Sequence, residues 1–409
     1  MVDRKLAHAL QPGLSRMLPV PLTDREENAL RQSGILIDEG FDEIAYFRYA
    51  AMKAKVGSSS LSLFVSFSSR CNFKCIYCYQ DLRQSEQQSN LSEKNWETLF
   101  SYIADRVTHH GVTKVAVALF GGEPLMNYDV LHRAVRDLKG LEQTGASVVV
   151  SLITNGSLLR RKRSKELAPY VDYAQITLDG PREIHNKRRP YANGKGSFDR
   201  ILMNIVDAID SNLKIALRVN VDEENAPYVS DLLRDLKRQG LHQKLVNIDF
   251  KGIYSTQQTI LAEGCAARIG EDVESHVAGS IQEAARLGYK VGKAFIFGPC
   301  LGCNANGFAV DEQLRVYRCP GFLYGEPDGV ITSDSQLKIT SSEWYRQVVF
   351  EPKCVESCVY GPICYGGCRW KAGGATKVNC NKDWLEKHLH EYLLAYASSN
   401  YDLSLPESG

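Results

Sequence analysis

The run Cys71-Asn72-Phe73-Lys74-Cys75-Ile76-Tyr77-Cys78 sets three thiols in the spacing C-x3-C-x-aromatic-C. Thiolates are soft, strongly bound ligands, and a short loop can wrap three of them round one inorganic centre. A structural zinc site closes its tetrahedron with four protein ligands, and a standard iron–sulfur carrier takes four cysteines per cluster. Three leave a coordination position open, as a reactive centre requires. Downstream, Gly121-Gly122-Glu123-Pro124 supplies backbone free of Cβ atoms and a carboxylate able to accept from an ammonium group.

Eight further thiols crowd the C-terminal third: Cys300, Cys303, Cys319, Cys354, Cys358, Cys364, Cys368 and Cys380. They suffice for two complete four-cysteine clusters, although zinc ribbons also use closely spaced pairs. Cys265 stands outside every pattern and reads as a buried small apolar residue. Twelve cysteines in short spacings, with no secretory signal pattern, favour cluster ligation over disulfides and a reducing, cytoplasmic setting.

These residues need a frame. With 409 residues and 44% apolar content the chain can bury a large core and form more than one domain. Lys and Arg number 49 against 48 Asp and Glu, so no overall field draws the chain to nucleic acid or an anionic membrane. No stretch approaches the roughly 20 apolar residues of a membrane span. The basic run Arg160 to Lys165 reads as the solvated face of a surface helix.

From Leu61 onward, strand-like runs alternate with amphipathic segments, the rhythm of repeated βα units and a parallel sheet. Strands are expected at Leu61–Ser68, Val115–Phe120, Val148–Thr154, Tyr173–Leu178, Ile215–Val221 and Leu245–Lys251. Helices are expected at Ser92–His109, Asp129–Glu142, Ser157–Ala168, Phe198–Ser211 and Ala226–Gln239, with another around Glu271–Leu287. In such folds chemistry gathers at the C-terminal ends of the strands. The cysteine loop, Gly121–Pro124, Thr154–Gly156 and Asp179–Pro181 each follow a strand.

The cysteine motif together with Gly121–Pro124 resembles the radical S-adenosylmethionine (SAM) enzymes. The resemblance implies an α/β fold, a partial (β/α)6 barrel of the TIM type. It further implies that Cys71, Cys75 and Cys78 bind a 4Fe-4S cluster whose open iron chelates SAM, releasing a 5'-deoxyadenosyl radical on reduction. By position, Tyr77 would pack on adenine. Gly121, Gly122, Glu123 and Pro124 would take the methionine amine, while Asn155, Thr177, Asp179 and Arg189 would contact ribose or carboxylate. Arg189 closes a stretch, Asp179-Gly180-Pro181 through His185, similar to one in that family. Arg218, in the fifth strand, reads equally as a structural ion pair.

The C-terminal cysteines are similar to the SPASM extension of peptide-modifying radical enzymes, with one residue inserted between Cys354 and Cys358 relative to its usual opening spacing. Carried over, Cys300, Cys303, Cys319 and Cys368 would hold a first auxiliary 4Fe-4S cluster and Cys354, Cys358, Cys364 and Cys380 a second, three clusters in all. Cys300 is the least secure ligand, because the family can leave one iron of that cluster open. The implied division is an N-terminal extension (1–58), a radical SAM barrel (59–290), an auxiliary-cluster domain (291–385) and a C-terminal helix and tail (386–409).

The implied substrate is a ribosomally made precursor peptide, to be crosslinked through a thioether or carbon–carbon bond, or spliced. An electron donor of flavodoxin or ferredoxin type would serve it. The segment Leu22–Lys55, containing Gly34-Ile35-Leu36-Ile37, reads as a remnant or docking surface for a leader peptide, leaving leader recognition to a separate protein. Two alternatives stand. One is a sulfatase-maturing enzyme, which typically has an Asp after the cysteine equivalent to Cys319, where this chain has Pro320. The other is a non-catalytic iron–sulfur electron carrier.

Overall fold

The computed structural model describes residues 23–32, 38, 40–57, 59–78, 80, 88–253, 271–292 and 298–400. Gly34–Ile37 and Cys265 lie outside them. By compactness the chain divides into two units, residues 1–49 and 50–409. The first contributes the helix Asp24–Gln32 and the opening turns of the helix Glu43–Val56.

The second unit is built on a sheet ordered β10-β9-β8-β7-β1-β2-β3-β4-β5-β6 among the described residues. Strands β1 (Ser60–Ser68), β2 (Lys114–Gly121), β3 (Ser147–Thr154), β4 (Tyr173–Thr177), β5 (Ile215–Val221) and β6 (Asn247–Gly252) run parallel. Helices Glu93–His109, Tyr128–Gly140, Arg161–Leu167, Phe198–Ile209 and Ala226–Arg238 connect them, the partial barrel expected from the sequence. Ser92 caps the first of these through Oγ, accepting from the Asn95 N–H at 3.0 Å. The helix Arg161–Leu167 starts four residues later than expected. Gly156, at φ +79°, and the Asn155 side chain, which accepts from the Ser157 N–H, hold 156–160 as a turn instead.

Beyond β1 the sheet continues where no strands were expected. β7 (Gly307–Val310) pairs parallel with β1, and β8 (Arg315–Tyr317), β9 (Gly329–Ile331) and β10 (Leu337–Ile339) follow antiparallel. The cysteine-rich region therefore shares the barrel's sheet. A long helix, Lys382–Asn400, closes the described chain with Leu385, Tyr392 and Ala395 buried.

The strand faces sort by burial. Leu61, Leu63, Val65, Val115, Val117, Leu119, Val150 and Leu152 pack with Trp96, Leu99, Leu131 and Leu138 of the helices. Side chains of the opposite, concave face form a second cluster: Phe120, Ala309, Tyr317 and Leu323, flanked by Phe64, Ile153, Phe322 and Tyr324. Parallel register carries that face to a polar half in which Thr177, Arg218 and Asp249 lie side by side on β4, β5 and β6. Arg218 there donates to Gln175 Oε1 at 2.9 Å and pairs with Asp249 at 2.7 Å, a structural ion pair.

The basic run is not uniformly solvated. Arg160, Arg161, Lys162 and Lys165 are exposed, whereas Arg163 turns inward, stacks 4.3 Å over the Tyr128 ring and donates to the Leu125 and Leu158 carbonyls.

Candidate active site

The cysteine loop leaves the end of β1 and is pinned along its length. Lys74 and Ile76 donate backbone N–H groups to Pro190 and Arg188 carbonyls at 2.9 and 3.0 Å, and Ala192 N–H returns to Asn72 at 2.9 Å. Phe73 meets Tyr191 edge to face, with ring centroids 4.9 Å apart. The loop's three cysteines are all partly accessible.

Gly121 and Gly122 serve this loop first. A Cβ on Gly122 would stand 2.5 Å from the Arg70 carbonyl oxygen, and one on Gly121 would strike the Ser68 carbonyl and lie 2.7 Å from Ser66 Oγ. Their closeness lets Gly122 and Glu123 donate N–H groups to Ser68 and Arg70, each at 2.8 Å, joining the ends of β1 and β2. The glycines thus permit approach of backbone to backbone.

Glu123 is fully buried. One carboxylate oxygen accepts from the Leu125 N–H at 3.0 Å and Thr154 Oγ1 at 2.7 Å, the other from the Asn155 N–H at 2.8 Å. Burial raises its pKa against these bonds. The carboxylate expected to accept from an ammonium here braces the β2 and β3 loops. Pro124 follows it, buried, at the start of a short 3-10 turn. Asn155 Nδ2 reaches Asn72 Oδ1 at 2.9 Å and so ties the β3 loop to the cysteine loop.

A second network surrounds Tyr77. Its hydroxyl donates to Asp179 and accepts from Arg189 Nη1 at 2.6 Å and Asn220 Nδ2 at 3.1 Å. The Arg188 guanidinium lies 5.2 Å from the ring centroid and is itself held bidentate by Asp222 at 2.9 and 2.7 Å. Burial drives the Tyr77 pKa well up, so the phenol stays neutral and donates. Asp179 is likewise raised by burial, opposed by Arg189 and the Tyr77 hydroxyl. Tyr77, Asp179 and Arg189 thus meet, whereas Thr177 sits on β4 in register with Arg218.

His185, Asn220 and Arg188 complete this cluster and were not assigned roles from sequence. His185 Nδ1 accepts from the Asp179 N–H at 3.2 Å; Nε2 faces Ser197 Oγ at 3.1 Å, and that hydroxyl donates to the Arg189 carbonyl at 2.6 Å. Both bonds require the Nε2–H tautomer. Burial, then Arg189 and Arg188, push the imidazole pKa well below its ordinary value, so it is neutral. The four-residue interval from His185 to Arg189, one helical turn, was the available signal.

In the C-terminal cysteine-rich region, the structure brings the thiols together in two groups. Cys300 and Cys303 sulfurs lie 4.0 Å apart. Cys319, raised to about 12 chiefly by burial, also feels Cys368 and Cys300. Cys354, raised by burial, feels Cys364, Cys358 and Cys380. Among the described residues no group of three His, Cys, Asp or Glu is arranged to hold a single metal ion.

Residues 65–236 match the Radical SAM superfamily. The chain carries a radical SAM domain. Its curated relatives include the Fe-coproporphyrin III synthase of Methanosarcina barkeri, 30% identical over 172 residues that cover 41% of this chain and 39% of that protein. The cysteine-type anaerobic sulfatase-maturating enzyme of Clostridium novyi is 27% identical over 44% of this chain and 49% of that protein. This chain therefore spans less than half the length of each. The solved structure of Streptococcus suis SuiB bound to precursor peptide SuiA is 14% identical and shares the fold, with a TM-score of 0.55 over 87% of this chain and 86% of that one.

A radical SAM domain takes a 4Fe-4S cluster and SAM, and the residues present fit both. The three thiols share one pinned loop at the C-terminal edge of the sheet. Beside it, Arg189 Nε is buried with no hydrogen-bond partner among the described residues, a donor left over for an anionic group. Burial, then the Glu123 charge, raises Cys71 to about 12, and burial raises Cys75, so coordination to iron must supply the energy of forming these thiolates.

Proposed function

We propose that this protein is a radical SAM peptide maturase that modifies a ribosomally made precursor peptide. The observation that carries the reading is a three-cysteine loop set at the mouth of a concave sheet whose lining is half apolar and half polar. Such a face suits an extended peptide with mixed side chains. The names of relatives support it: one matures sulfatases, and SuiB was solved with a precursor peptide.

Cys71, Cys75 and Cys78 would hold the SAM-binding cluster, which supplies reductive cleavage of the sulfonium and a 5'-deoxyadenosyl radical when bound. The Gly121–Pro124 backbone would receive the methionine amine and Arg189 its carboxylate. Asn155, Thr177 and Asp179 would set the remaining polar contacts. The Tyr77 ring, clamped by its hydroxyl, would present its face to the adenine. The two C-terminal thiol groups, four cysteines each, support two auxiliary clusters. An electron donor of flavodoxin or ferredoxin type and a separate leader-recognition protein complete the proposed partners, and the compartment is the reducing cytoplasm.

Formylglycine formation is the second reading, favoured by the sulfatase-maturating relative. Pro320, which opens a 3-10 turn directly after Cys319, offers no side-chain base there. Anaerobic incubation of the reconstituted, reduced protein with SAM and precursor peptides, read by peptide mass, tests the proposal. Loss of two hydrogens marks a crosslink or oxidation, and loss of a residue-sized fragment marks splicing. An unchanged mass in all peptides, despite SAM cleavage, would contradict peptide maturation.

A further inference from the structure

One buried acid on the concave side has no part in the cysteine loop or the networks above. Glu312 sits in the turn between β7 and β8 and is 2% exposed. Ser66 Oγ, on the inward face of β1, donates to its Oε1, and Tyr324 Oη donates to the same oxygen at 2.8 Å. The two hydroxyls stand 2.9 Å apart. Tyr324 packs with the apolar lining beside Phe120 and is partly buried, and its hydroxyl is bonded to the enclosed acid.

Two details show that this arrangement is built. Tyr324 holds a left-handed backbone, φ +64°, which an aromatic residue rarely adopts, and such conformations persist where surrounding structure enforces them. The arrangement also abuts the reaction end of the sheet, since Ser66 Oγ would lie 2.7 Å from a Cβ on Gly121, second only to the Ser68 carbonyl.

Resting on the peptide-maturase reading, we infer that Tyr324 and Glu312 form the proton-accepting relay of the concave face, taking a proton from a side-chain thiol of the bound peptide. The peptide S–H breaks and sulfur keeps the electron pair. The proton passes to the Tyr324 oxygen as the tyrosine's own proton passes to Glu312. A thiol and a carboxylate become a thiolate and a carboxylic acid, and no electron is transferred.

The chemistry is matched. Burial raises Glu312 to about 7, against hydrogen bonds from Ser66 and Tyr324, with Asp311 raising it further. A cysteine thiol ordinarily titrates near ~8.5, close enough for useful transfer. The other polar groups around it are accounted for. Asp311 is held by Arg315 Nε at 2.6 Å and Tyr317 Oη at 3.0 Å, and Asn95 from the helix Glu93–His109 binds only the Glu312 carbonyl, at 2.8 Å.

The test compares wild type, Glu312→Gln, Glu312→Asp and Tyr324→Phe, following 5'-deoxyadenosine and modified peptide separately across pH. In Gln and Phe variants, deoxyadenosine formation should stay within about twofold while peptide modification falls about 10²–10⁴-fold, with partial rescue in Glu312→Asp. Wild-type modification should rise through an acid limb near pH 7 that Glu312→Gln lacks. Modification at the wild-type rate in both variants, or an acid limb persisting in Glu312→Gln, would overturn the relay. If Glu312→Gln does not fold, Tyr324→Phe decides by the same rate criterion. Wild type that makes no deoxyadenosine fails the maturase reading itself, whereas wild type that modifies peptide beside equally active variants fails only the relay.

Discussion

Three thiols of the 71–78 loop carry the proposed chemistry, and each is needed for a cubane with one open iron. Cys71→Ala, Cys75→Ala and Cys78→Ala should each abolish SAM cleavage, measured as 5'-deoxyadenosine under reducing anaerobic conditions. Glu312 makes a prediction on stability. Its folded pKa of about 7 lies above the ordinary 4.5, so between those values the folded protein holds a proton that the unfolded chain has released. This group's contribution is therefore full below about 4.5 and is lost as pH rises to 7, on the order of 3 kcal/mol at about 1.4 kcal/mol per unit. Denaturant titrations of wild type and Glu312→Gln across that window should differ by this slope, and parallel curves would show that Glu312 ionises normally. At this scale the sequence displayed residue types but not their partners. Glu123 and the Gly-Gly pair were legible as a loop motif, yet their bracing of β1 against β2 depends on contacts some fifty residues apart in the chain. His185 likewise acts through Asp179 and Ser197, which only the folded turn brings to it.

Elements explain why the motif loops coincide. β1 to β4 end at one edge, and the strands were legible because buried parallel strands are continuous apolar runs; the longer amphipathic helices were legible too, but the start of Arg161–Leu167 and the short helix Arg182–Arg188 were not. β7 to β10 were not legible, since three or four residues per strand carry too little periodicity and their burial comes from pairing beyond β1. The joint most exposed to mutation is the β1–β2 crossing. Gly121→Ala would force a side chain into φ +135° and against the Ser68 carbonyl. Backbone strain alone should cost about 1–3 kcal/mol. Thermal melting should show the loss, and iron content after reconstitution should fall with it. An alanine variant that melts and loads iron like wild type would show that this joint is not needed.

Across the whole molecule, a single sheet joins the barrel to the cysteine-rich region through the β1–β7 pairing, so the latter is no detachable module. Truncation after residue 292 should leave β1 as an open edge and give aggregation or a broadened melt. A soluble, cooperatively melting fragment would contradict this. On the proposed function, a radical formed at the cysteine loop acts on a peptide. The most direct measurement of this is hydrogen transfer: a deuterated precursor peptide is incubated with the reduced protein and SAM, and the 5'-deoxyadenosine is examined by mass. Deoxyadenosine should carry deuterium from the peptide in wild type and not in Cys75→Ala. Deoxyadenosine that forms freely but never acquires deuterium from any peptide position would contradict it.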